Sequence, residues 1–202
     1  KKENIRTVEA LVTKKIDDIK SKINPSTKIK LYKQAKLQEE KRITGKSRFV
    51  INETENDKGL YKMPEPNAGD LFYDIEGFPQ ADKRNFEYLH GIYFNNKNKE
   101  FKYFGVKKYD KEEEKKIFIE LINFLEKHFD KYPDAYIYHY NDYEKRALRE
   151  LASEYSSSFP KGNNFVDRLL RQEKFVDLYR VVSQCMQTTE KDLSLKTIEK
   201  FY

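Results

Sequence analysis

The sequence has few cysteines, no long apolar run and no zinc-ligand spacing, the features typical of disulfide-bonded, membrane-spanning and zinc-binding proteins. A single cysteine, Cys185, excludes an internal disulfide and indicates a reducing compartment. No apolar run is long enough to cross a bilayer, and the N-terminal residues do not resemble a signal peptide. His90, His128 and His139 lack the spacing of zinc ligands. We therefore expect a cytoplasmic protein with no membrane span and no zinc site.

Charged and aromatic side chains, by contrast, are abundant. Of the 202 residues, 37% are charged and 14% aromatic, and the 38% that are hydrophobic suffice for a core. The net charge of +6 permits nucleic-acid binding but does not require it, because basic and acidic residues are mixed. The length suits one domain with an appendage. Since the chain does not start with methionine and stops within a predicted helix, we expect a piece of a longer protein.

Helical spacing dominates the N-terminal part of the chain. Apolar residues recur with a helical period over 4–23, which predicts one or two amphipathic helices. A further helix is predicted to be capped by Ser26 or Thr27 and to run to Thr44, with Gly45 as its C-terminal stop. We interpret its basic outer face as solvated, with a contact to phosphate groups as the alternative.

Strand and helix patterns alternate in the rest of the chain. The stretch 52–69 is polar and contains two glycines and two prolines, which predicts a long loop. We place the domain boundary in this stretch, with a helical segment over 1–56 and a larger domain over 57–202. The predicted strands are 71–75, 86–94, 101–106, 135–139 and 175–178; the predicted helices begin at 110, 142, 166, 179 and 194, with a loop at 156–164. This order predicts an α/β domain with a mixed sheet.

Asp74 and Glu76 form the most informative pair. Both belong to the end of the strand predicted at 71–75, and they point the same way because side chains alternate faces along a strand. Two like charges at this spacing repel unless a cation lies between them, and Mg²⁺ prefers such oxygen ligands. The alternative is that both acids simply face water. Asp-x-Glu alone is common, so the rest of the chain must decide.

A second polar cluster follows the strand predicted at 135–139. Open α/β sheets bind ligands where such a strand passes into a helix. Glu144, or less readily Asp142, would bring a third carboxylate to this place, and His139 would face it. The alternative is structural: Asn141 caps the helix, Glu144 is its third residue, and His139 packs in the core.

Asp177 and Arg180 form a further candidate site. Asp177 ends a short predicted strand, and capping of the next helix explains it as well as a functional role does. Arg180 pairs with Asp177, contacts phosphate or is simply solvated. Residues 44–47 resemble the end of a phosphate-binding loop, but Glu40 stands where that motif needs glycine.

Taken in order, these segments resemble the C-terminal part of the RecB-like nuclease family. The matching segments span nearly the whole chain and are 7–11, 34–38, 64–77, 87–91, 138–141, 175–182 and 194–199. In that family this part is an RNase H-like domain of the DEDD 3′–5′ exonuclease type. The resemblance implies an RNase H-like mixed sheet flanked by helices, with a small N-terminal helical segment and an incomplete C-terminus.

The resemblance also implies roles for individual residues. Asp74 and Glu76 match the first DEDD motif, whose acids bind two Mg²⁺ or Mn²⁺ ions. Glu144 matches the acid of the second motif, where the wider superfamily usually has aspartate. We expect the supporting residues to be Asn141, Asp142, His139 and Asp177, and the residues that contact substrate to be Gly77, Phe78 and Arg180.

The implied activity is metal-dependent hydrolysis of DNA or RNA, preferentially single-stranded. The fourth acid is expected after the helix at 194–199, so we expect the chain alone to bind metal weakly and to show little activity. RecB-like nuclease and helicase segments are expected in the same full-length chain. Two other hypotheses stay open: a non-catalytic nucleic-acid-binding or scaffolding module, and an architectural domain that docks a neighbouring nuclease or helicase.

Overall fold

The computed structural model describes residues 5–52, 57–79, 84–94 and 99–202. The helices are α1 Val8–Val12, α2 Pro25–Thr44, α3 Lys111–Lys131, α4 Tyr143–Glu154, α5 Pro160–Arg171, α6 Leu178–Cys185 and α7 Leu195–Ile198. The strands are β1 Phe49–Ile51, β2 Leu71–Phe78, β3 Phe86–Phe94, β4 Phe101–Gly105, β5 Ile137–His139, β6 Phe175–Asp177 and β7 Met186–Thr188. Short 3-10 turns cover Ile16–Asp18, Gly59–Lys62 and Glu199–Phe201. Among the helices described, none combines the length and the apolar composition that a bilayer span requires.

The chain divides into two units. One contains residues 1–62 and 181–202, and the other contains residues 63–180. The C-terminal residues join the first unit because β7 pairs antiparallel with β1, with Gln187 opposite Val50. The sequence pattern did not indicate this ribbon, since three-residue strands are too short to show a period. The predicted domain boundary between residues 56 and 57 stays a prediction.

In the smaller unit, α2 starts earlier than predicted. Asn24 caps it by accepting a hydrogen bond from the Ser26 amide at 2.9 Å, and Pro25 is its first residue. The predicted cap at Ser26 or Thr27 is therefore wrong, because proline's fixed φ suits the first turn of a helix. Gly45 is confirmed as the stop, with a left-handed φ of 70°. The helices predicted over 4–23 are shorter than expected: α1 and one 3-10 turn.

Part of the basic surface of α2 is paired within its own unit. Lys41 contacts Glu190 at 2.6 Å, and Arg42 contacts Glu39 at 2.6 Å. These pairs favour a structural role for those cations over a contact with phosphate.

The larger unit is a mixed sheet with helices packed on it. The strand order is β4-β3-β2-β5-β6, in which β2, β3 and β4 are antiparallel and β5 and β6 run parallel to β2. The predicted α/β class and the β3–β4 hairpin are confirmed. Residues 95–98 of the predicted hairpin turn lie outside the described residues.

The core of this unit lies between one face of the sheet and α3, α4 and α5. In β2 the side chains alternate, with Leu71, Tyr73 and Ile75 buried and Phe72, Asp74 and Glu76 exposed. Asp110 caps α3 by accepting a hydrogen bond from the Glu113 amide at 2.8 Å, as its sequence predicts.

One predicted loop is partly helical. The composition of residues 156–164 predicts an irregular loop, but α5 begins at Pro160, which is tolerated in the first turn of a helix. Gly162 then packs against Phe159, where a Cβ atom would approach the ring within 2.5 Å. Tight packing therefore overrides the loop-like composition of this stretch.

Candidate functional site

The topology brings the predicted acidic segments to one edge of the sheet. β2 and β5 are parallel, with Phe72 opposite Tyr138, and β5 and β6 are parallel, with His139 opposite Asp177. Their carboxyl ends therefore emerge at the same edge, where open α/β sheets bind ligands. Asp177 lies at this edge, as does the turn into α4.

Asp74 and Glu76 lie within β2 rather than past its end. The strand continues to Phe78, so the prediction that it ends at Ile75 is wrong. The shared face of the two acids is confirmed, because both are exposed while Ile75 between them is buried. A bulge between Glu76 and Gly77 interrupts the pairing with β3 directly after the second acid.

Glu144 is buried and incompletely bonded. It is the second residue of α4 and is 5% exposed, and its Oε2 atom has no hydrogen-bond partner among the described residues. His139 Nδ1 lies 3.5 Å from that oxygen. The same Nδ1 is 2.6 Å from the Asn141 carbonyl, which only accepts, so its hydrogen goes there. A buried carboxylate oxygen without a donor is costly, which makes it a natural ligand for a cation.

The capping interpretation of Asn141 and Glu144 is wrong. Asn141 has a left-handed φ of 76°, and Asp142 occupies the cap position of α4 without a side-chain hydrogen bond to the helix. Asparagine tolerates this conformation better than most residues do. Asn141 therefore forms a turn after β5, and the first turn of α4 leaves the Glu144 carboxylate free of a capping role.

Asp177 of β6 is hydrogen-bonded to this turn. Its Oδ1 atom accepts hydrogen bonds from the Asn141 amide at 2.9 Å and from the Arg180 amide at 3.2 Å. The hydrogen bond from the Arg180 amide fits the helix-capping alternative for Asp177, whereas pairing of the Arg180 guanidinium with Asp177 stays a prediction. Asp177 also supports the turn that precedes Glu144, a connection that the sequence did not reveal.

Gly77, a predicted substrate-contact residue, lies against the buried Glu87 and the half-buried Tyr143. A Cβ atom there would overlap the Glu87 carboxylate and lie 2.6 Å from the Tyr143 hydroxyl oxygen. The Tyr143 hydroxyl donates to Glu87 Oε2 at 2.9 Å and accepts from Asn85 Nδ2 at 2.8 Å. Gly77 is therefore required for close packing at the end of β2, and Tyr143 packs there through its hydroxyl.

Glu87 is an acid that the sequence analysis missed. It is 1% exposed, and burial raises the pKa of its carboxyl above the ordinary value, against the opposing effect of the Tyr143 hydrogen bond. The feature of the sequence that could have identified Glu87 is its position as an acidic residue within the mostly apolar and aromatic strand β3. Strand alternation alone does not tell whether such a residue is buried.

A tyrosine and a histidine, Tyr73 and His90, form a buried pair near the candidate site. The Tyr73 hydroxyl is 2.8 Å from His90 Nδ1. Burial raises the pKa of Tyr73 well above its ordinary value, and the nearby carboxylates of Glu144, Glu87 and Asp74 raise it further. Burial lowers the pKa of His90 to about 3, so both partners are neutral at pH 7. The Tyr73 hydroxyl is therefore neutral and lies within electrostatic reach of all three carboxylates.

A buried ion pair, Arg84–Glu114, connects α3 to this region. Arg84 donates to both oxygens of Glu114, at 2.8 and 2.7 Å, and Glu114 also accepts from the Glu87 amide at 2.7 Å. Burial alone would raise the pKa of Glu114, but these donors, together with the Tyr155 hydroxyl and the Lys111 ammonium, hold it at about 2. The ionised Glu114 of α3 thus links this helix to the start of β3 through the hydrogen bond from the Glu87 amide.

Phe78 and Arg180, the other predicted substrate contacts, are both exposed. Phe78 is 38% exposed and lies against Phe86 and Tyr109, with ring centroids 5.3 and 5.5 Å away.

Within the described ranges, no group of three or more His, Cys, Asp or Glu side chains is arranged to hold a metal ion. The joint metal site of Asp74, Glu76 and Glu144 therefore stays a prediction.

Comparison with protein families matches residues 71–202 to the model of the RNase_H_2 family, described as RNase_H superfamily. The chain belongs to the RNase H superfamily. The match begins at the first residue of β2 and covers all five strands of the larger sheet. It confirms the predicted RNase H-like fold, whereas the RecB-like and DEDD assignments stay predictions. Comparisons with curated proteins and with solved structures gave no match.

Proposed function

We propose that this RNase H superfamily domain is a metal-dependent nuclease that hydrolyses phosphodiester bonds of single-stranded DNA or RNA. The carrying observation is the buried Glu144 carboxylate oxygen, which has no partner among the described residues and follows β5 at the edge where β2 also emerges. Its Oε2 atom is the hard oxygen donor that Mg²⁺ or Mn²⁺ prefers. The finer part of the proposal is a 3′–5′ exonuclease of the DEDD type.

Asp74, Glu76 and Glu144 would hold the ions. Two-metal chemistry of this kind supplies an activated water and stabilises the leaving oxygen of the phosphodiester. The chain's own contribution is positioning: β2 directs Asp74 and Glu76 to one face, and the Asp177-supported turn places Glu144 at the start of α4. The packing of Gly77 against Glu87 and Tyr143 fixes the end of β2.

The test is cleavage of a labelled single-stranded oligonucleotide by the full-length protein with Mg²⁺ or Mn²⁺ and with chelator. Asp74→Ala should abolish the metal-dependent cleavage while circular dichroism shows an intact fold, because Asp74 is exposed and packs into no core. Asp134→Asn, which changes an exposed acid in the turn before β5, is the matched control and should cleave normally. Unchanged cleavage by Asp74→Ala would refute the proposal.

A second candidate function is a non-catalytic nucleic-acid-binding or scaffolding module. One observation favours it, namely that the described residues contain no assembled group of three metal-binding side chains. Such a module would bind oligonucleotides with a steep salt dependence and without cleavage. The RecB-like resemblance adds the proposal that the domain acts in the cytoplasm, alongside nuclease and helicase segments of the same full-length chain.

A further inference from the structure

Four aromatic side chains form a row across the larger sheet. Phe101 of β4, Tyr93 of β3, Phe72 of β2 and Tyr138 of β5 stand opposite one another in register. Successive ring centroids are 4.6, 5.9 and 5.2 Å apart. The rings therefore contact one another across four neighbouring strands.

The row is most exposed at the edge strand. Phe101 is 62% exposed and Phe72 is 37% exposed, whereas Tyr138 is buried. Tyr103, the next residue on the same face of β4, is 63% exposed, and its ring is parallel to that of Phe101 within 3°. Contiguous exposed apolar surface of this kind marks an interaction site more often than chance exposure does.

The row lies on the same face as the acid pair. Phe72 precedes Asp74 by two residues of β2, a distance of about 7 Å along the strand. Asp74 stands opposite Gly91, which in turn stands opposite Tyr103. Because Gly91 has no side chain, the Tyr103 ring lies against it: a Cβ at Gly91 would be 3.6 Å from a Tyr103 ring carbon and 3.8 Å from the Asp74 carbonyl oxygen. The aromatic surface is therefore continuous with the candidate site.

We propose that Phe101, Tyr93, Phe72 and Tyr103 form a stacking surface for the unpaired bases of a single-stranded nucleic acid whose backbone passes towards Asp74 and Glu76. This inference rests on the proposed function and names where its substrate lies. Every base offers a flat π-face, so such a surface binds without sequence preference. Phe101, Tyr93 and Phe72 lie on three neighbouring strands and span about 10 Å, which accommodates about three bases at one ring per strand.

The adjoining carboxylates favour a nucleic acid over a protein partner. A dry protein interface on this face would bury Asp74 and Glu76 at its border, which is costly for unpaired charges. A nucleic acid would instead deliver its phosphates to the place where cations are proposed to bind. A second copy of this chain is the competing occupant, and the test below detects it.

The test is binding of a fluorescently labelled oligothymidylate and a labelled oligouridylate to the full-length protein in chelator, so that cleavage does not interfere. Phe101→Ala and Tyr103→Ala should each weaken binding about tenfold or more, since each removes an exposed stacking face. The matched control is Tyr61→Ala, which removes a 65% exposed aromatic ring from the smaller unit and should leave affinity unchanged. A duplex of the same length should be insensitive to all three changes.

The outcomes separate this inference from the proposed function. If cleavage requires Asp74 but Phe101→Ala and Tyr103→Ala bind and cleave normally, the stacking surface is refuted and the nuclease stands. If both variants lose binding while the wild-type protein never cleaves, the stacking surface stands and the nuclease is refuted. If the variants instead convert a dimer to a monomer in sedimentation and leave oligonucleotide affinity unchanged, the face is a self-interface and the inference is wrong.

Discussion

The hydroxyl of Tyr143 donates a 2.9 Å hydrogen bond to the buried carboxylate of Glu87. This contact joins the first residue of α4 to the end of the β2–β3 ladder, beside Gly77. Glu144 is the next residue along the helix. The position of the unpaired Glu144 carboxylate relative to β2 therefore depends on the Tyr143–Glu87 contact.

Loss of the Tyr143 hydroxyl should destabilise the larger unit. Tyr143→Phe removes the donor to Glu87 and the acceptor of Asn85 Nδ2, so the free energy of unfolding should fall by about 1–3 kcal/mol. Urea unfolding followed by circular dichroism measures this. Tyr109→Phe is the control, because Tyr109 is 73% exposed, and it should change stability by less than about 0.5 kcal/mol. Equal effects of the two substitutions would show that the Tyr143 contact contributes nothing.

The two glycines at the candidate site should respond differently to alanine. At Gly77 a Cβ atom would overlap the Glu87 carboxylate, so Gly77→Ala should cost about 1–3 kcal/mol and lower nuclease activity. At Gly91 the nearest atom to a Cβ is a Tyr103 ring carbon at 3.6 Å, so Gly91→Ala should fold with near wild-type stability. Thermal unfolding of both variants checks the contrast. A Gly77→Ala protein as stable as Gly91→Ala would contradict the packing at the end of β2.

The Arg84–Glu114 pair should stabilise the fold in a pH-dependent way. The pKa of Glu114 is about 2 in the folded protein against an ordinary value of 4.5, so its stabilising effect is present above pH 4.5 and is lost as the pH falls towards 2. By linkage the effect is on the order of 3 kcal/mol. Glu114→Gln should therefore be less stable than wild type at pH 7, with the difference shrinking below pH 4.5. Urea unfolding across this range measures it.

Glu112→Gln is the matched control for this experiment, because Glu112 is an exposed acid on the same helix. Its stability should differ from that of wild type by less than about 0.5 kcal/mol. A constant difference between Glu114→Gln and wild type from pH 7 to pH 3 would contradict the lowered pKa of Glu114.

Much of the larger unit could be predicted because its elements have clear periods. Alternation along β2 identified the shared face of Asp74 and Glu76, and the apolar period of α3 together with Asp110 identified that helix and its start. The hairpin β3–β4 followed from two strand patterns separated by polar residues. Such local patterns predict the structure correctly where the tertiary contacts favour the same secondary structure.

What the sequence did not reveal depends on contacts between distant residues. β1 and β7 are three residues each and are stabilised by pairing with each other, although they are far apart in the sequence. Neither strand is long enough to show an alternating pattern. Glu87 is buried because Tyr143 and Gly77 pack on it, and Asn141 turns because Asp177 accepts its amide. The left-handed φ of Asn141 then removes the capping arrangement that its spacing from Glu144 had suggested.

We propose that Glu144 binds a divalent cation together with Asp74 and Glu76. Isothermal titration calorimetry of the full-length protein with Mn²⁺ tests this proposal, with Glu144→Gln and Asp74→Asn as the variants and Asp134→Asn as the control. We expect each of the first two substitutions to weaken Mn²⁺ binding by at least about tenfold, while Asp134→Asn binds as wild type does. Mn²⁺ affinity that is the same in all four proteins would contradict the claim.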